Sequence, residues 1–392
     1  MTTRRTQARF LQATVSSATL LAAAAAVLLM TPPAASAEAP AQPAGGPVFD
    51  VQNLFEKVRG PNIVVATDGA VLAFAKGGRL LRRSEDGGRT WSPAREVGPD
   101  AGGSAVVDTT TGHVLIVQSR GGYLWRSHDH GQTWAREEIT LRPNALGHGT
   151  PDGVPVQTGA SESGVTLRHG KHKGRLVMPA RIQPPKGNND QEYWPYNYNT
   201  SIVSDDGGKT WQVGGPVQSG TGEGTLAELS NGSIYYNSRS HMSVDHRRRI
   251  AWSHDGGLMW VDWRVADHLY EVGEPFYFKY GTKPSYGCNA GLVRLPPEVT
   301  DGRDVLLFST PDNPGGTRVR MTVWASFDRA ETWPVKRLVY EGPSAYSSLA
   351  AAPDGTVYLL FECGVKRLYE TIAVARFNLE WLAEGKDWRA LL

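Results

Sequence analysis

One eight-residue stretch constrains this chain more than any other feature, because it recurs. Ser84-Glu85-Asp86-Gly87-Gly88-Arg89-Thr90-Trp91 returns from Ser127 to Trp134, Ser204 to Trp211, Ser253 to Trp260 and, in worn form, Ser326 to Trp333. Each copy keeps Ser first, Asp third and Trp eighth, and all but the last keep Gly fifth. The pattern predicts a tight turn between antiparallel strands, with Ser and Asp side chains bonding nearby amides and Gly taking a positive φ. The Trp is expected to begin the next strand and pack over the turn. These aspartates read as structural rather than catalytic. The copies start at 84, 127, 204, 253 and 326, spacings of 43, 77, 49 and 73. That is a unit of about 40–55 residues with the box sometimes missing, the signature of a β-propeller.

A second repeat lies between the boxes: an apolar strand, a tight X-Gly turn, and another apolar strand. The turns are Asp68-Gly69, Thr111-Gly112, Lys173-Gly174, Asn231-Gly232, Asp301-Gly302 and Asp354-Gly355. Six turns predict an all-β, six-bladed propeller of four-stranded antiparallel blades over residues 48–392. The last blade takes its third strand from Glu370 to Phe377 and its fourth from about Val48 to Leu54, closing the ring.

Before this domain, Arg4 and Arg5 precede an apolar run from about Ala18 to Met30, and Ala35-Ser36-Ala37 ends it in a small-x-small cleavage pattern. Residues 1–37 therefore read as a signal peptide and 38–47 as a linker, which predicts a secreted, mature chain without a membrane anchor. Sec and twin-arginine export both remain open. With 41 basic and 39 acidic residues, nothing points to a nucleic-acid partner, and the chain is expected to be a monomer. Cys288 and Cys363 are the only cysteines. A fold of this size needs no staple, so they are expected to be unpaired. His169 and His172 stand beside a turn with no ordered set of further ligands, so neither a metal nor a cofactor is expected.

The strand order also places the candidate site. In each hairpin the start of the first strand and the end of the second lie on one face, and the boxes lie on the other. Arg59, Glu162, Glu223, Tyr286 and Tyr346 stand before first strands; Arg181, Arg239 and Glu362 follow second strands; Arg318 enters from the same face. Several arginines converging on one mouth argue for a carboxylate or other anion, which the planar guanidinium binds bidentately. Arg247, Arg248 and Arg249, by contrast, read as a mostly solvated run on a third strand.

These segments resemble the exo-sialidases (neuraminidases) of glycoside hydrolase family thirty-three, from about Val58 to Leu382. Arg59-Gly60-Pro61 stands where that family has an Arg-Ile-Pro motif. Gly222 to Leu229 and Asn237-Ser238-Arg239 are similar to its glutamate and second-arginine stretch. Asn313-Pro314 with Arg318 resembles the third-arginine segment, Ser344 to Leu349 the tyrosine segment, and Leu360-Phe361-Glu362 the acid that supports the first arginine. The resemblance implies retaining hydrolysis of terminal α-linked sialic acid, or a related nonulosonic acid, on glycoconjugates. It implies Arg59, Arg239 and Arg318 on the sugar carboxylate, Tyr346 as nucleophile and Glu223 as its base. A neutral phenol suits an anomeric carbon that already bears a carboxylate.

The chain lacks one functional residue of that family. The acid/base aspartate expected after the second strand of blade one is absent, since Ala75-Lys76-Gly77-Gly78-Arg79 runs straight into Leu80. Glu162 is the first candidate to replace it, with His148 and Asp152 as alternatives. A sialic-acid-binding propeller without turnover is the rival reading. The aromatic stretch Glu192-Tyr193-Trp194-Pro195-Tyr196 reads equally as an aglycone wall or as packing between blades.

Overall fold

The computed structural model describes residues 46–391 except 160, 184–195, 243–244 and 274–285. The expected signal peptide, most of the linker, and residues 192–195 lie outside the described residues.

The box turns form by local chemistry. In the first copy Ser84 Oγ donates to Asp86 Oδ1 (2.8 Å) and accepts from Gly88 N (2.8 Å). The other Asp86 bonds come from the amides of Arg89 and Thr90 and from the Thr90 hydroxyl at 2.6 Å. The Thr90 bonds hold the Asp86 carboxyl well below its usual range. Asp129, Asp206, Asp255 and Asp328 accept the equivalent amides. The fifth residue has positive φ in every copy: Gly88, Gly131, Gly208, Gly257 and, in the worn box, Ala330 at 72°. Trp211 lies within a strand, whereas Trp260 and Trp333 stop one or two residues short of theirs.

All six X-Gly hairpins are present. Three sheets have four strands each in chain order. They are β2 (Asn62–Val65), β3 (Val71–Ala75), β4 (Leu80–Ser84) and β5 (Arg95–Glu96); β6 (Ser104–Val107), β7 (Val114–Gln118), β8 (Tyr123–Ser127) and β9 (Ala135–Glu138); and β16 (Thr221–Glu228), β17 (Ile234–Ser240), β18 (Arg247–Ser253) and β19 (Val261–Tyr270). A fourth sheet has six strands: β12 (Val165–Thr166) and β11 (Val156–Thr158) both pair with β13 (Leu176–Ile182), followed by β14 (Tyr198–Ser204), β15 (Thr210–Val213) and, parallel to β15, β10 (Thr140–Arg142).

The remaining strands correct the expectation of six separate blades. A single seven-stranded sheet runs β20 (Gly291–Arg294), β21 (Leu306–Pro311), β22 (Val319–Ser326), β23 (Val335–Ala351), β24 (Val357–Cys363), β25 (Thr371–Phe377) and β1 (Phe49–Glu56). Four sheets stand apart as blades, and the fifth is continuous where two more were expected. The cause is β23, 17 residues without a break. Its first half pairs with β22 and its second half with β24.

The first strands of the hairpins surround a cavity of about 210 Å³, with Val64, Val107, Val165, Leu226, Val293 and Ala350 among its wall residues. The apolar core lies between neighbouring sheets, as where Leu72, Phe74 and Leu81 pack against Val114, Ile116 and Trp125. The result is a propeller-like ring of antiparallel sheets, 48% strand and 4% helix. Cys288 and Cys363 are buried free thiols. No helix among the described residues is long and apolar enough to cross a membrane.

Candidate active site

Two strands break register at the residues that meet. In β16 the pairing with β17 skips between Thr221 and Gly224, and Glu223 sits in the skip. In β23 the pairing with β24 skips between Ser344 and Ser347, where Tyr346 sits. Such bulges bend the strand and re-aim a side chain. Here the Tyr346 hydroxyl donates to Glu223 Oε1. Glu223 Oε2 accepts Arg239 Nη1 at 2.5 Å, and the same nitrogen lies 3.3 Å from the Tyr346 oxygen. Arg181 Nη1 stands 3.6 Å from Glu223 Oε1. The glycines flanking Glu223 make room for this packing: a Cβ at Gly222 would fall 2.0 Å from His241 Nε2, and one at Gly224 2.3 Å from the Tyr236 ring.

The other two arginines are fixed around this pair. Arg59, with a side chain 45% exposed, forks onto the wholly buried Glu362 at 3.1 and 3.2 Å. Glu362 also accepts the amides of Gly60 (3.0 Å) and Tyr346 (3.2 Å), so one carboxylate ties the first arginine to the tyrosine strand. The Tyr369 ring lies 3.8 Å from the Arg59 guanidinium. Arg318 donates to the Tyr369 oxygen at 3.2 Å and to the Gly287 carbonyl at 2.9 Å, while Arg239 Nε donates to the Tyr286 carbonyl at 2.7 Å.

The 286–288 segment that carries these carbonyls is itself held from below. Glu271 accepts the Cys288 amide at 3.1 Å and Arg248 Nη1 at 2.9 Å, and Arg248 donates to the Cys288 carbonyl at 2.7 Å. Both members of the Arg248–Glu271 pair are wholly buried. This corrects the reading of the basic triplet. Arg247 and Arg249 pair with Asp267 and Asp245 nearer the surface, but the alternation of a strand turns Arg248 inward.

Burial disfavours the Glu223 carboxylate, yet Arg239, Arg181 and His241 outweigh it and hold that carboxyl well below its ordinary range. Burial and the Glu223 charge push the Tyr346 phenol above its usual value, against the pull of Arg239 and Arg318. The pair therefore rests as carboxylate and neutral phenol. Burial raises Glu162 from the ordinary 4.5 to about 7, with Arg181 opposing and Glu223 reinforcing. Its Oε1 accepts the Gly224 amide at 2.5 Å. Burial also raises the Cys288 thiol to about 11, which makes it inert.

Residues 106–359 match the BNR repeat-like domain family. The chain belongs to the BNR-repeat family of sialidase-like propellers. Among curated relatives it is 31% identical to a sialidase of Micromonospora viridifaciens, an alignment that takes in 89% of this chain and 56% of that protein. A Vibrio cholerae sialidase is 30% identical over 47% of this chain and 25% of its own length. The chain thus spans little more than half of the first of these relatives and a quarter of the second. The sialidase-like fold recurs in a Hadza microbial sialidase, with a TM-score of 0.62 at 24% identity over 83% of this chain and 66% of that one. It recurs again in a leech intramolecular trans-sialidase, with a TM-score of 0.63 at 14% identity over 86% and 71%.

In this sialidase-like propeller Arg59, Arg181, Arg239, Arg318, Glu162, Glu223, Tyr346 and Glu362 form one connected cluster. His148 and Asp152 have no described bond to it: His148 Nδ1 meets the Tyr198 hydroxyl at 2.8 Å, and Asp152 is exposed in a turn. After β3 the chain reverses through Lys76, Gly77 and Gly78, all at positive φ, and Arg79 leaves the turn paired with Glu96. No carboxylate stands in that turn. Two residues beside this cluster escaped the sequence reading: Tyr369, against Arg59 and Arg318, and His241, beside Glu223. Tyr369 follows Glu362 by seven residues in a loop, where no strand pattern marks its direction. His241 sits just past Arg239 at the end of β17, a position the strand-end rule covers.

Proposed function

We propose that this chain is a secreted, monomeric exo-α-sialidase that hydrolyses terminal α-linked sialic acid, or a related nonulosonic acid, with retention. The observation that carries the reading is the Tyr346–Glu223 contact under three arginines. Arg59, Arg239 and Arg318 take the sugar carboxylate, and Glu362 keeps Arg59 in place. Tyr346 Oη attacks the anomeric carbon as its proton passes to Glu223, while the glycosidic oxygen leaves with a proton from an acid. Water then cleaves the tyrosyl-sugar bond, the acid acting as base and Glu223 returning the proton to Tyr346.

The resting electrostatics support that sequence of events. Arg239 is what most weakens Glu223 as a base. A substrate carboxylate on the same guanidinium shares its charge, so binding makes Glu223 more basic just when Tyr346 must lose its proton. Glu162 is the proposed acid: its value of about 7 suits a group that must both give and take a proton. His148 and Asp152 are the alternatives should Glu162 fail.

The empty turn after β3 favours a second reading, a sialic-acid-binding propeller without turnover. Against it stands the pairing of Tyr346 with the buried Glu223 carboxylate, an arrangement for which simple binding has no use. Release of free sialic acid from a fluorogenic sialoside, lost in Tyr346→Phe, is the expected result. A folded protein inactive across sialosides and related nonulosonic acid glycosides refutes the enzyme. If calorimetry still finds sialic acid bound, the second reading replaces the first.

A further inference from the structure

Tyr369 touches two of the three arginines without being one of the expected site residues. It lies in the loop between β24 and β25, and that loop is pinned. Glu370 accepts the Val365 amide at 2.8 Å, its carbonyl takes the Lys57 amide at 2.9 Å, and Gly364 donates to the Pro343 carbonyl at 3.1 Å. The Tyr369 ring stacks on the Arg59 guanidinium at 3.8 Å, on a side chain already forked onto Glu362. At its other end the phenol oxygen accepts Arg318 Nη1 at 3.2 Å. A phenol is both acceptor and donor. With the arginine donating into its oxygen, the proton of that hydroxyl remains to be given to something else between Arg59 and Arg318.

We propose that Tyr369 is a fourth ligand-binding residue, donating its phenolic proton to the carboxylate that Arg59 and Arg318 grip. This rests on the sialidase reading above. The geometry gives it two separable tasks: the ring face fixes the plane of Arg59, and the hydroxyl adds a neutral donor where a fourth cation would only raise the repulsion among the arginines.

The test uses Tyr369→Phe, which keeps the ring and removes the hydroxyl, with the 2,3-unsaturated analogue of sialic acid and its methyl ester as probes in calorimetry. The expected result is a Kd for the acid weakened about tenfold, as for one hydrogen bond to a charged group, with the Kd for the ester unchanged within about twofold. Equal weakening on both ligands shows a merely structural tyrosine and overturns the proposal. So does an unchanged Kd for the acid. If the wild-type protein binds neither probe, the sialidase reading falls and takes the proposal with it; if the wild type binds the acid, only the Tyr369 role is at stake.

Discussion

Glu162 turns the site's electrostatics into a measurable stability. The residue is 2% exposed, and burial pushes its carboxyl up to about 7 from an ordinary 4.5. Between those values the folded state holds a proton that the unfolded chain releases, so stability must fall as pH rises through this window. The contribution is fully present below about pH 4.5 and lost above about pH 7. At about 1.4 kcal/mol per pH unit over about 2.5 units, the loss is about 3 kcal/mol. Gln at this position keeps an oxygen for the Gly224 amide and carries no titration. Urea unfolding of wild type and Glu162→Gln from about pH 4 to pH 8 should therefore show the variant gaining about 3 kcal/mol on the wild type across the range. Parallel curves would refute a buried Glu162 titrating near neutrality. The same variant tests the proton donor: it should keep most activity on an aryl sialoside, whose leaving group needs little protonation, and lose roughly 10²-fold on a natural sialoside. Equal losses on both would take Glu162 out of the chemistry and leave His148 and Asp152.

Two further outcomes test the scaffold. Glu271→Gln leaves Arg248 as an uncompensated buried charge and should cost about 3–5 kcal/mol in urea unfolding, with a raised KM because the 286–288 carbonyls that hold Arg239 and Arg318 lose their support; unchanged stability would refute the pair's role. Gly88→Ala forces a side chain into a φ of 79° with its Cβ 2.8 Å from the Tyr358 ring, so it should lower stability by about 1–2 kcal/mol while kcat/KM per folded molecule stays the same.

What could be read from the chain in advance was what local chemistry decides. The Ser-Asp box makes its turn from its own atoms, and each X-Gly hairpin needs only a positive φ, so both were visible as strings of residues. The strand-end rule then gathered Arg59, Glu223, Arg239, Tyr346 and Glu362 because first strands start, and second strands end, on one face, and Arg318 because a third strand starts there too. Sheet count was less accessible. Whether β23 breaks or continues between Val335 and Ala351 depends on its partners on both sides, not on its own composition. Arg248 was misjudged for a different reason: a run of three like charges looks solvated until the alternation of the strand is applied to it. Tyr369 needed the loop's path through space, which no periodicity reveals.

The pairing of β1 with β25 has a kinetic consequence. Val48 donates to Asn378 across 330 positions of chain, and Phe49 faces Phe377. β1 must therefore wait for a partner made more than 300 residues later, a delay on the order of tens of seconds at typical rates of synthesis. Until then the free edge of β25 does not exist and β1 has nothing to pair with, so closure of the ring is a late, non-local event. β1 works as a clasp. Mutations that weaken it should leave the sheets able to form while exposing the β25 edge to pairing with other chains.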